Sequence, residues 1–510
     1  MPCPPTRSCD GGGRRWPTSW RRTRTHRPPS RNSNPCSGWT ERMDRPARHV
    51  AVIDIGKTNA KVVLHDLAER RDLAFRSITN EVRRDGPYPH FDLDRLFAFV
   101  VASLGEVAAG HAPDAIAITT HGASIVLVDE TGLSLPMLDY EFDLAGPESD
   151  AYEPLRPDFA ETLSPRMAQG LNVGRQLFWL QSRFPDAFAR TRHILTYPQY
   201  WAWRLTGVAS VETTSIACHT DLWSPPAGAC SSLVARMGWG ALLPPLRTAF
   251  DTLGPLLPEI ARQAGLADRN AIPVLCGIHD SNASLLPHLL SRPAPFAVVS
   301  TGTWVVCFAV GGRRDTLDPA LGTFSNVDAF GRPVPSGIFM GGREFDALTG
   351  GEAEAPDEAV LASVVERGIM ALPGQTAGSG PFPRARGGWS VEPGALSRAE
   401  RTAAASLYAA LATNEVLRVI GADGPTVVEG PFARNDAFLR ALRQLTGRPV
   451  AAPLEGTGTS AGAALLALGP NAAIEPAAER VIPDTPLPDL GRYREMWLAA
   501  AEVRKVEETA

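Results

Sequence analysis

Two short hairpin patterns, far apart in the chain, constrain the fold more than anything else in the sequence. His49 to Asp54 is an apolar run ending in a carboxylate, Ile55-Gly56-Lys57-Thr58-Asn59 is a turn, and Ala60 to Asp66 is a second strand. The same order returns downstream: Phe296 to Ser300 is an apolar strand, Thr301-Gly302-Thr303 a polar turn, and Trp304 to Val310 another strand. A unit that opens twice implies two halves. The pattern breaks at Ser291-Arg292-Pro293-Ala294-Pro295, which sets the boundary between them. A chain of 510 residues is also too long for one core. The expected organisation is an extension over 1–47, domains over 48–290 and 291–490, and a tail over 491–510.

The remaining elements alternate as in an α/β protein. Apolar spacing predicts helices near 93–109, 176–184, 199–205, 281–290, 397–420 and 435–446. Buried strands are expected at 115–120, 126–129, 272–276 and 425–428, and a small-residue helix within 456–467.

The first 42 residues are rich in arginine, proline and serine with only Asp10 and Glu41 as acids, and show no apolar stripe. Such a segment is expected to be disordered. Met43 stands just before the first strand, so these residues also read as an upstream extension of the frame. No CxxC pair occurs, so Cys218, Cys230, Cys276 and Cys307 read as reduced thiols of a cytoplasmic protein, and a zinc site is not expected. A net charge of −5 and the lack of an apolar run of about 18 residues argue against nucleic-acid and membrane partners. The sequence leaves a homodimer open.

Lysine is almost absent: only Lys57, Lys61 and Lys505 occur, and two of them lie in Asp54-Ile-Gly-Lys-Thr-Asn-Ala-Lys61. The first turn reads as a phosphate site, in which Gly56 lets the backbone approach while Thr58 and the turn N–H groups donate. Asp54 would hold Mg²⁺. A P-loop is excluded, because position 51 is Ala51 and a strand follows the turn. The second turn, Ser300 to Thr303, offers hydroxyls and amides to a further phosphate. Asp280 lies where a strand passes into a helix, placed to accept a proton from a hydroxyl. Locally a plain hairpin and a helix-capping aspartate would look the same. Glu429-Gly430-Pro431-Phe432-Ala433-Arg434-Asn435 offers a ledge for adenine, with Asn435 at the base edge. Gly456, Gly458 and Gly462 form a loose glycine pattern with Ala461 in the third place, and Gly462-Ala463-Ala464 reads as a close helix contact.

In order and spacing these stretches resemble the FGGY carbohydrate kinases over residues 49 to 490. The resemblance rests on Asp54 to Thr58, His279-Asp280, Ser300 to Trp304, Glu429 to Asn435, Leu442 to Pro449 and Gly458 to Leu465. It implies an α/β fold of duplicated ribonuclease H-like (actin-like ATPase) domains with an interdomain cleft that closes on ATP and sugar. It further implies Asp280 as catalytic base and Asp54 beside Mg²⁺. Gly56, Lys57, Thr58 and Asn59, with Thr301, Gly302 and Thr303, would lie at the phosphates, and Gly430, Pro431 and Asn435 at the adenosine. His121, Gly122, Gln176, His279 and Asn282 are then sugar contacts. Many members carry threonine where Lys57 stands. Gly277-Ile278-His279-Asp280 and the second turn are closer to rhamnulose kinases, so a deoxyketose such as rhamnulose or fuculose is the expected substrate. Xylulose, ribulose or glycerol kinases remain alternatives, as do a sugar- or nucleotide-binding sensor and an actin-type ATPase on the same fold.

Overall fold

The computed structural model describes residues 47–268, 271–454 and 458–503. The arginine-rich N-terminal segment, Gly456 and Lys505 lie outside the described residues. The first half contains β1 (His49–Ile55), β2 (Asn59–Asp66), β3 (Arg71–Thr79), α1 (Leu93–Val107) and β4 (Ala115–Thr120). After these come α2 (Val173–Arg183), α3 (Tyr197–Thr206), β5 (Thr252–Pro255), β6 (Pro273–Leu275), β7 (Ile278–His279) and α4 (Asp280–Ser291). The second half contains β8 (Phe296–Thr301), β9 (Val305–Val310), β10 (Thr323–Val327), β11 (Pro333–Phe339), α5 (Arg398–Val419) and β12 (Thr426–Glu429). It continues with α6 (Asp436–Thr446), β13 (Val450–Pro453), α7 (Thr459–Ala464), β14 (Glu479–Val481) and α8 (Leu490–Val503).

Each half is built on one mixed sheet, ordered β5-β6-β4-β1-β2-β3 in the first and β10-β11-β9-β8-β12-β13-β14 in the second. The pairing repeats. β1 runs antiparallel to β2 and parallel to β4, and β2 is antiparallel to β3. In the second sheet β8 runs antiparallel to β9 and parallel to β12, and β9 is antiparallel to β11. The next strand outward is parallel in both cases, β6 on β4 and β13 on β12. The sheets are thus two copies of one plan, the duplicated ribonuclease H-like arrangement.

The central strands are nearly continuous apolar runs because both sheet faces are covered. Helix α1 covers β2 and β3, started by Asp92, whose carboxylate accepts from Arg95 N. Helix α5 begins with a Ser397–Glu400 capping box and is buried almost all round in the second core. Each parallel pathway ends in a helix, α4 in the first half and α7 in the second, and these two equivalent helices pack on each other. Their contact requires Gly462: a Cβ there would meet Ala283 O at 1.9 Å. The close helix contact read from the glycine pattern is therefore present at Gly462.

Strand β3 was not legible as a strand. It is an edge strand with both faces half exposed, so it carries no apolar alternation. Among the described residues, no helix is long and apolar enough to cross a membrane.

Candidate active site

Asp280 is the first residue of α4, and His279 rather than Asp280 occupies the capping position. The aspartate is therefore not a helix cap. Its carboxylate is a third exposed and accepts from Ser281 N at 2.6 Å. His279 Nε2 lies 3.0 Å from Asp280 Oδ1, and His279 Nδ1 lies 2.9 Å from Asn282 Oδ1. Asn282 donates its amide to Val327 O, so its oxygen faces the imidazole as an acceptor. With acceptors at both ring nitrogens, His279 is held doubly protonated. Burial works to keep its pKa low, but the Cys218 and Asp280 charges raise it well above the ordinary imidazole value. Conversely, burial works to raise the Asp280 carboxyl, and the His279 charge overcomes it and holds the pKa below the ordinary carboxylate value. The His279 backbone N–H donates to Thr214 Oγ1, and Thr214 is itself held by the buried Glu212 carboxylate.

Asp54, at the end of β1, is buried and accepts from Ser460 Oγ at 2.6 Å, a contact between β1 of one half and α7 of the other. Lys61 Nζ stands 3.4 Å from the same oxygen. Burial raises the Asp54 pKa, with Lys61 and Ser460 opposing it and the Asp280 charge adding to it. The two carboxylates are thus close enough to sense each other. Among the described residues no group of three or more histidines, cysteines and acids gathers around one point. The buried Asp54 carboxylate suits Mg²⁺, which is held by few carboxylates and keeps water and phosphate oxygens for its other positions. The residues present fit that ion.

A cavity of about 100 Å³ joins the halves, lined by Asp280, Ser281 and Ser284 from α4 and by Ser300, Glu429 and Thr459 from the second half. The first turn is closed by Gly56 N donating to Asn59 O, and Asn80 pins it through Gly56 O. Thr58 and Asn59 are exposed at its tip. Lys57 leaves the turn sideways. Its ammonium is bonded to Asp139, lies 3.4 Å from Glu141, and rests over the rings of Phe91 and Tyr140.

In the second turn Gly302 and Thr303 are exposed, whereas Thr301 is buried. Thr301 Oγ1 donates to Glu429 O and accepts from Phe432 N, so its hydroxyl fixes the Gly430 loop and is not free for a phosphate. Gly430 has φ 80°, and a Cβ there would meet Thr301 O at 1.9 Å, so only glycine fits. Asn435 departs from its expected contact with the base edge. Its Oδ1 caps α6 at Phe438 N, and its Nδ2 donates to Ser406 Oγ. Pro431 opens the short turn between them.

Of the expected sugar contacts, His279 and Asn282 lie at the Asp280 turn, and Gly122 packs against His279. Gly122 touches His279 and Cys218; a Cβ on it would lie 2.7 Å from His279 Nε2. His121 Nε2 and Gln176 Oε1 are buried without a hydrogen-bond partner among the described residues. The other atoms of these two side chains are anchored, His121 Nδ1 at Gly122 O and Gln176 Nε2 at Ala123 O and Gly170 O. Burial holds the His121 pKa down to about 4, leaving it neutral at physiological pH. Sequence reasoning missed Lys61, Ser460, Asp139, Tyr140 and Cys218. Lys61 carried a signal, as the second of two lysines in one hairpin; the others are brought in by tertiary packing alone.

Two family models match the chain: the FGGY carbohydrate kinase N-terminal domain over residues 49–287 and the FGGY C-terminal domain over residues 293–476. A solved carbohydrate kinase from Novosphingobium aromaticivorans is 37% identical with a TM-score of 0.81, covering 88% of this chain and 100% of its own. A xylulose kinase from Lactobacillus acidophilus, 16% identical, shares the fold with a TM-score of 0.74 over 89% of this chain and 97% of its own. A rhamnulokinase from Enterobacter sp. (strain 638) is 30% identical over 289 residues, 54% of this chain. The match spans 56% of that curated relative's length.

Proposed function

The chain belongs to the FGGY family of carbohydrate kinases, and we propose that it transfers the γ-phosphoryl group of ATP to a sugar hydroxyl, with Asp280 as general base. The observation that carries this reading is the pairing of Asp280 with the His279 imidazolium at a cavity whose other wall is Ser300, Glu429 and Thr459. Phosphoryl transfer asks little more of a protein than an oriented acceptor, a base and compensation of phosphate charge.

Asp280 takes the proton of the attacking hydroxyl, and His279 keeps the carboxylate ionised and aimed. His121 and Gln176 each bring a buried, unpartnered atom to the sugar, with Gly122, His279 and Asn282 shaping the wall. The backbone amides of Thr58, Asn59 and Thr303 face the phosphates, while those of Gly56 and Gly302 close their own turns onto Asn59 O and Trp304 O. Lys61 adds positive charge beside Asp54. Gly430 and Pro431 form the adenosine ledge, with Thr301 and Asn435 as its supports. Asp54, with Asp280 nearby, would hold Mg²⁺, which when bound neutralises phosphate charge. The two sheets act as domains that meet near residue 291 and close on both substrates, excluding water that would hydrolyse ATP.

The substrate we favour is a deoxyketose such as rhamnulose, supported by the rhamnulokinase similarity and by the His279-Asp280 turn. The setting is the cytoplasm, where ATP is available. The test is ADP release from Mg-ATP across a panel of ketoses and polyols. Release only in the presence of a sugar supports the kinase. Equal release without any sugar would mark an ATPase, and stabilisation by ligands with no ADP would mark a sensor.

A further inference from the structure

Lys57 stands in the turn proposed above to meet the phosphates, yet its side chain is committed elsewhere. The ammonium is bonded to Asp139, which is 4% exposed in its side chain, and approaches Glu141 at 3.4 Å. It lies 4.7 Å from the centre of the Tyr140 ring and 4.9 Å from that of Phe91, within cation–π range of both. Those two rings in turn flank His121, at centroid distances of 5.3 and 5.6 Å. His121 is the buried imidazole whose Nε2 has no partner among the described residues, and it feels the charges of both Lys57 and Asp280. Tyr140 likewise feels both Asp139 and Asp280. Lys57, Tyr140 and His121 therefore form one wall that ends at the base.

We propose that Lys57 is a sugar-positioning and specificity residue, not a nucleotide ligand, and that with Asp139 and Glu141 it selects a neutral polyhydroxy sugar over a sugar acid. An ammonium has three donors. Asp139 takes one and Glu141 approaches a second, which leaves a donor for a substrate oxygen lying along Tyr140. The selection against acids follows from charge. Lys57 is outnumbered by Asp139 and Glu141, the Asp280 carboxylate beyond is balanced by the His279 imidazolium, and His121 is neutral. A carboxylated substrate would meet net negative charge on this wall. This inference rests on the sugar being bound beside Asp280, as proposed above.

The test uses the full chain and two readouts. In thermal melts without nucleotide, a neutral ketose that is turned over should raise the wild-type Tm, and the matching aldonate should not. Lys57→Met keeps the length and ring packing but removes the charge. It should abolish the ketose-induced shift and leave the Mg-ATP-induced shift intact. In steady-state kinetics its KM for ketose should rise about 10–100-fold, the loss of one charged hydrogen bond, with KM for ATP within about twofold of wild type. Asp139→Asn, which retains an oxygen acceptor, should move ketose KM in the same direction and serves if Lys57→Met does not fold. A raised KM for ATP with an unchanged KM for ketose would overturn the assignment, and tighter binding of the aldonate than of the ketose would overturn the charge selection. A ketose-induced shift that Lys57→Met abolishes, with no ADP released by wild type, would sink the kinase reading while leaving Lys57 on the sugar side.

Discussion

His279 and Asp280 are consecutive in the chain and form an ion pair, Nε2 to Oδ1 at 3.0 Å, at the point where a short strand becomes helix α4. A histidine next to a base usually invites a proton-relay reading. Here both ring nitrogens face acceptors, so the imidazole holds charge and does not pass it on.

That pair fixes a pH dependence. Burial opposes ionisation of Asp280 and the His279 charge overcomes it, so the carboxyl titrates below its ordinary value. In His279→Gln the largest influence opposing burial is lost, and the acid limb of the kcat/KM profile should move to higher pH. A limb that stays in place would show that His279 does not tune the base. The sign carries over to stability. A depressed carboxyl stabilises above its unfolded value and loses this as pH falls through its folded value. A raised imidazole stabilises below its unfolded value and loses this as pH rises through its folded value. The pair therefore contributes its full stabilisation between about pH 4 and pH 6.5, and stays formed above that range until the raised imidazole pKa is passed.

The helix contact between the halves should be sensitive to a single methyl group. Gly462→Ala places a Cβ 1.9 Å from Ala283 O, on the helix that carries Asp280. Overpacking of this kind costs about 1–3 kcal/mol. A lower Tm together with reduced turnover is expected. Gly491→Ala, whose Cβ meets nothing within 4 Å among the described residues around α8, should leave both near wild type.

A buried ion pair outside the site gives a test of stability alone. Asp221, fully buried, accepts from Arg156 Nε at 3.0 Å and Nη2 at 3.1 Å, and also from Tyr152 and Asn172. Arg156→Met strands the carboxylate and should cost about 3–5 kcal/mol in urea unfolding. Changing both partners, Arg156→Met with Asp221→Leu, should recover part of that loss. No recovery would mean that the geometry, not the stranded charge, sets the cost.

Much of this was legible in the sequence because the signal was local. The two hairpins, the strand ending in Asp54 and the helix begun at Asp280 are written in runs of apolar residues and turn chemistry. What stayed hidden depends on distant segments. Ser460 reaches Asp54 only after α7 packs across the halves. Asp139 and Tyr140 come from a loop with no periodicity, so nothing marked them as partners of Lys57. Asn435 was read as a free amide because capping consumes a side chain silently: Asn-Asp-Ala-Phe looks the same whether the amide meets a base or Phe438 N.

The central claim is that Asp280 deprotonates the acceptor hydroxyl, and Asp280→Asn tests it most directly. The substitution keeps shape and removes the basic oxygen. Sugar-dependent ADP release should fall about 10²–10⁴-fold while the thermal shift produced by Mg-ATP is largely retained. Near-normal turnover in that variant would contradict the account.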